Sequence, residues 1–218
     1  MKPYQSHPDI YQLRIVLRGI SPLIWRRLLV RSDTTLAQLH LVLQILFDWS
    51  NEHLHHFRIF GKDYGSDSAD TRNVMLRQFG FQHGERFRYV YNGYAQWPCD
   101  IRLESTLPFD TKRLYPVCTG GKWPAPPEHV QGAWAYLELL DEHRSPPMEA
   151  LRVLADAAQI VLNAPAHVSI REAIGDLGEM REAMDRLDLY QQFQPSAFQR
   201  RHVNAQLRTR TWTGEDEP

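Results

Sequence analysis

Four of the ten histidines of this 218-residue chain, His40, His53, His55 and His56, fall within Leu36 to Phe57. No other stretch concentrates so many imidazoles, groups able to move a proton or bind a metal. Read as a strand, His53 to Phe60 (HLHHFRIF) projects His53 and His55 from one face about 7 Å apart, at roughly 3.3 Å per residue. Two imidazoles at that spacing can chelate a zinc ion, with His40 or Cys99 as a third ligand. The structural alternative has these rings hydrogen-bonded within the sheet or facing solvent, with His55 packed beside Trp49. Zinc needs three or four converging ligands and the spacing fixes only two. No cofactor is therefore expected, zinc at His53 and His55 remains the alternative, and the candidate site is His40, His53, His55, Trp97 and Cys99.

Arginine makes the second constellation. Only four of the 25 basic residues are lysine, and Arg14, Arg18, Arg27, Arg31, Arg86, Arg88 and Arg102 all fall on the polar side of expected strands. A cationic sheet face with Tyr89, Tyr91 or Trp97 at its rim can grip single-stranded nucleic acid through phosphates and stacking. The alternative is a solvated face neutralised by Glu85, Asp100 and Glu104. Asp100, Glu104 and Glu128 could also serve as paired carboxylates for acid and base work, but no nucleophile elbow, phosphate loop or zincin motif accompanies them. The reading favours a binding protein over an enzyme.

The elements that must position these groups follow from periodicity. Tyr11, Leu13, Ile15 and Leu17 alternate with polar residues and predict a strand over Ile10 to Arg18; Leu23 to Arg31 predicts a second, with a bulge or edge at Arg26-Arg27. Thr35-Leu36-Ala37-Gln38 fits a capping box, opening a helix to Phe47 that is apolar nearly all round and so belongs at the domain centre. Glu85 to Tyr91 and Tyr94 to Leu103 predict an antiparallel pair joined at Asn92-Gly93 by a type I′ turn, with Pro98 calling for an edge or bulge. Ser66 to Asn73 reads as a loop. The Gly- and Pro-rich Tyr115 to Pro127 predicts no regular element, and Cys118 there reads as structural. Helical spacing resumes after Val130, with a last helix starting at Pro195-Ser196.

The fold class expected is α+β: a mostly antiparallel sheet packed on a central apolar helix, with a helical C-terminal third. The divisions expected are a core over 1–140, a helical extension packed on it over 141–210, and an acidic frayed tail over 211–218. With 43% hydrophobic residues and a formal charge of −1, the chain can fill a core but has no global field to recruit nucleic acid or membrane. The absence of a signal peptide, of a spanning apolar run and of a cysteine framework predicts a cytoplasmic protein with no membrane partner.

Several phrases, in order and spacing, resemble the plasmid pRiA4b ORF-3-like family. They are Pro22-Leu23-Ile24-Trp25-Arg26-Arg27, Thr35-Leu36 with Leu39-His40, Phe47-Asp48-Trp49, and His53-Leu54-His55 with Phe57. Phe87, Tyr89 and Tyr91 with Trp97, then Cys118-Thr119-Gly120-Gly121 with Pro126-Pro127-Glu128, continue the match, and Phe193, Pro195, Phe198 and Val203-Asn204-Ala205 close it. The resemblance implies an α+β domain in a bacterial plasmid or insertion-sequence setting, as a transposition-related passenger, and brings no established reaction. Where the family shows Tyr-Asp-Phe-Gly-Asp-x-Trp-x-His, this chain has Tyr91-Asn92-Gly93-Tyr94-Ala95-Gln96-Trp97-Pro98-Cys99. Ala125 and His129 likewise replace an expected cysteine and aspartate. A metal-assisted family site there would be lost or rebuilt. The function expected is thus a binding or accessory protein of a mobile element, with nucleic acid or a mobile-element protein as partner. The alternatives are a metal-dependent hydrolase or nucleic-acid-processing enzyme using His53 and His55, or a degenerate member without the ancestral site.

Overall fold

The computed structural model describes residues 7–65, 71–165, 167–192 and 198–210. The expected tail at 211–218, the helix start at Pro195-Ser196 and the first part of the loop after Gly65 lie outside the described residues. Strands β1 (Ile10–Leu17) and β2 (Trp25–Arg31) form a hairpin, followed by helix α1 (Leu36–Phe47), β3 (His55–Ile59), β4 (Lys62–Gly65) and a 3-10 turn, Leu76–Phe79. β5 (Arg86–Tyr91), β6 (Trp97–Leu107) and β7 (Val117–Lys122) complete one antiparallel sheet in the order β4-β3-β5-β6-β1-β2-β7. The helices α2 (Gly132–Glu142), α3 (Met148–Asn163), α4 (Ile170–Ile174), α5 (Gly178–Gln192) and α6 (Arg200–Thr209) follow. The protein is α+β, with a sheet built as expected around an apolar helix.

The capping box forms: the Thr35 hydroxyl accepts from the Gln38 amide at 3.1 Å, and the Gln38 side chain accepts from the Thr35 amide at 3.1 Å. Such a cap stabilises the helix by about 1 kcal/mol. Ten of the twelve α1 residues are buried, because the inner sheet face supplies Leu13, Ile15, Leu17, Leu28, Phe57, Phe87 and Ile101 on one side. Each large aliphatic buried there contributes roughly 1.5–3 kcal/mol.

The chain divides into two compact units, Met1–Leu137 with Ser196–Pro218, and Glu138–Pro195. The second holds α3, α4 and α5, with α3 packed on α4 and α5. α6 belongs with the first unit, packed on β7 and α1, whereas helical spacing alone grouped it with the C-terminal third.

Four local expectations change. β3 starts at His55, and His53 sits in a bend before it. Pro98 lies in a central strand: it is the second residue of β6, at the sheet's end, where it needs no ladder donor and its carbonyl still accepts from the Arg18 amide at 2.8 Å. The link after Tyr91 spans five residues, because Asn92 takes a positive φ of 58° and its side chain accepts from the Tyr94 and Ala95 amides. The tight hairpin is instead Phe60-Gly61, between the paired Ile59 and Lys62, with φ of 48° and 82°, the positive pair a type I′ turn requires. Finally, Val117–Lys122 is a strand despite its glycines, since pairing with β2 supplies its ladder and a Cβ at Gly121 would stand 2.5 Å from the Phe198 ring.

Candidate functional site

The inner face gathers most of the expected site residues into the core. His40 on α1 stacks on His55 of β3, ring centroids 3.5 Å apart and nearly parallel. Register places Tyr91 opposite both His55 and Trp97, and Tyr89 opposite Cys99. Trp97, Cys99, Tyr89 and Tyr91 are all fully buried. His40 bonds through both ring nitrogens: Nε2 to the Asn51 side-chain oxygen and Nδ1 to the Tyr89 hydroxyl at 2.7 Å. An amide oxygen only accepts, so Nε2 carries the proton and Nδ1 accepts from Tyr89. The Tyr89 oxygen accepts in turn from the Gln44 amide at 2.8 Å, and the Gln44 oxygen accepts from the Asn51 backbone at 3.2 Å, closing the circuit. His40 therefore has no lone pair to give a metal.

Electrostatics agree with the circuit. Burial, then the neighbouring His55, lowers His40 to about 3; burial, then His56, lowers His55 to about 4. Burial pushes the Cys99 thiol up, away from the thiolate that would ligate or attack. The indole Nε1 of Trp97 has no hydrogen-bond partner among the described residues.

His53 parts from His55. Its Nε2 lies 3.9 Å from a Glu128 carboxylate oxygen, and its ring meets Tyr91 edge-on. Glu128 accepts from the Tyr91 hydroxyl and from the Ser50 amide at 2.8 Å. Burial pushes the Glu128 carboxyl up, but those hydrogen bonds outweigh it and hold it below the ordinary carboxylate range. Trp49 stacks on Phe47 and Tyr91 rather than His55, and its indole donates to the Pro126 carbonyl at 3.2 Å. The Gly/Pro loop is thereby pinned to the end of α1. Among the described residues no group of three or more His, Cys, Asp or Glu converges as a metal site would require.

The outer face has a different character. Register sets Arg27 opposite Arg14, Arg14 opposite Arg102, and Arg102 opposite Arg86, one row of four arginines across β2, β1, β6 and β5. Like charges directly opposite destabilise a sheet. One carboxylate relieves part of it, since Glu104 takes the Arg27 fork at 2.6 and 3.1 Å and lies 3.5 Å from Arg102; beside the row, Asp100 bridges Arg18 at 3.4 Å and Arg88 at 3.3 Å. Arg14 and Arg27 both lie over the Trp25 ring, at 5.2 and 5.5 Å. Arg31 stands apart at the strand end, forked onto Asp33 at 2.9 and 2.7 Å. A cleft of about 200 Å³ opens among Arg14, Arg86, Arg102, Arg18 and Asp100, with Val16 and Leu23 as its apolar wall. Alternation identified these arginines singly; that four oppose one another is register, which period-two spacing does not fix.

A family model described as plasmid pRiA4b ORF-3-like protein matches residues 9–160. The chain belongs to that family. Within reach of the same assignment is the uncharacterized protein y4hQ of Sinorhizobium fredii, 31% identical over 149 residues that span 65% of this chain and 76% of the relative. A crystal structure of a protein of unknown function, MM3350 from Methanosarcina mazei Go1, is similar at a TM-score of 0.60 and 30% identity, over 64% of this chain and 84% of that one. The family match runs through both faces of the sheet, the histidine circuit and the arginine row alike. No described helix is long and apolar enough to cross a membrane.

Proposed function

We propose that this protein binds nucleic acid by holding strand phosphates against the outer face of its sheet, as an accessory of a mobile element rather than as an enzyme. The observation that supports this reading is the row Arg27, Arg14, Arg102 and Arg86. Opposed cations cost stability unless an anion repays them, and the two carboxylates on the face form their ion pairs with other arginines and none with Arg14 or Arg86 among the described residues. The Trp25 ring beneath it holds the Arg14 guanidinium in place, which reduces the entropy lost when it grips a phosphate. The family's plasmid description fits such a role. The hydrolase reading needs ligands that His40 and Cys99 do not supply.

Fluorescence anisotropy with single- and double-stranded DNA and RNA at several salt concentrations tests the proposal. Affinity should fall as salt rises, with a slope of roughly 0.7–0.9 per phosphate contact. Replacing Arg14 and Arg86 with alanine should reduce the slope by about 2 and weaken all sequences alike. Absence of binding, or binding indifferent to salt, would remove it.

A further inference from the structure

We infer that the cleft between Arg14 and Arg86 is a site for one phosphomonoester dianion, the group that terminates a phosphorylated strand; in that macromolecular form the inference rests on the nucleic-acid reading.

Charge is the first argument. The Arg27 fork is filled by Glu104, Arg102 shares that carboxylate, and Asp100 is engaged by Arg18 and Arg88. Arg14 and Arg86 have no carboxylate partner among the described residues. Four arginines line the cleft against the single carboxylate of Asp100, an excess that matches a monoester, which carries about −1.5 to −2 at pH 7, better than a backbone diester with a single charge.

The second feature is an unmet donor. Arg14 Nε is buried and has no hydrogen-bond partner among the described residues, although its guanidinium is fixed over Trp25. A buried donor left unpaired is costly, and a turn of the Arg14 side chain toward a phosphoryl oxygen in the cleft would satisfy it with a charge-assisted bond. Asp100 also lines the cleft, but its charge is taken up by the two arginines it bridges.

Size is the third. A space of about 200 Å³ lies below the roughly 300 Å³ at which pockets begin to enclose whole small molecules. It has room for a phosphoryl group and its ester carbon, with Val16 and Leu23 against the carbon, and does not enclose a complete nucleoside.

The test compares one fluorescent oligonucleotide with a 5′-phosphate, with a 3′-phosphate and with neither, against the native protein, the Arg14→Ala/Arg86→Ala double variant and Arg58→Ala. Ribose 5-phosphate and inorganic phosphate are titrated separately while the Arg14 Nε–H resonance is followed. The expected result is at least tenfold tighter binding of one phosphorylated end, abolished in the double variant and kept in Arg58→Ala, with the Arg14 signal shifting on ribose 5-phosphate. Equal binding of all three oligonucleotides with an unmoved Arg14 signal overturns the inference and leaves the backbone reading standing. A shifted Arg14 signal with no oligonucleotide binding supports the dianion site and removes the nucleic-acid reading. Loss of end preference in Arg58→Ala as well would overturn the assignment to this cleft.

Discussion

Because the folded protein resists protonating either ring of the His40–His55 stack, those two residues tie stability to pH. Their folded values, about 3 and about 4, lie below the ordinary 6.5, so between these limits the unfolded chain binds protons that the folded chain refuses. Stability is complete above about pH 6.5 and falls as pH drops toward 4 and 3, by about 1.4 kcal/mol per pH unit for each histidine. Urea unfolding at pH 7.5, 6 and 5 should show this. His55→Phe, which keeps a ring against His40 but cannot take a proton, should roughly halve the slope; an unchanged slope would refute the assignment. The density of histidines was legible in the sequence, but their division was not. Asn51 at a φ of 69° turns the chain ahead of the strand, and Glu128, remote in sequence, draws His53 away from His55.

At the scale of elements, two hairpins separate local signal from context. Gly61 sits at a φ of 82° with nothing within 4 Å of an added Cβ, whereas Gly93 lies outside the left-handed region and is equally open. The substitutions therefore isolate backbone strain from packing. Gly61→Ala should cost about 1 kcal/mol, and Gly93→Ala should stay within about 0.5 kcal/mol, both read from the midpoint of denaturant unfolding. The reverse order would restore a two-residue turn at Asn92-Gly93. The Asn-Gly pair misled because the Asn92 side chain caps two amides of a longer loop and also donates to the Glu128 carbonyl at 3.4 Å. β7 was hidden for a related reason: composition penalises glycine in a strand, while the close approach of Phe198 and Arg26 to Gly121 requires one.

For the whole molecule, a formal charge of −1 conceals a sheet with one inner, mostly apolar face, in which the buried Arg26 donates to the Leu46 carbonyl at 2.9 Å, and one outer, cationic face. The sheet has two edges. β4 is only four residues long, and β7 is closed by α6: the Asn204 side chain accepts from the Cys118 amide at 2.8 Å and donates to the Cys118 carbonyl at 2.9 Å, while Arg200 donates to the Thr119 carbonyl at 3.0 Å. Asn204→Ala should cost about 2 kcal/mol for the two lost bonds and increase concentration-dependent light scattering relative to the native chain, as an uncovered edge recruits strands from other copies. Scattering identical to the native chain would refute the edge role. Asn204 follows Cys118 by 86 positions. At about 5–20 residues per second, a ribosome adds Cys118 roughly 4 to 17 seconds before it supplies the side chain that covers it. Crowding on a polysome during that interval, rather than any property of the finished protein, sets when this sheet is most open to strands of its neighbours.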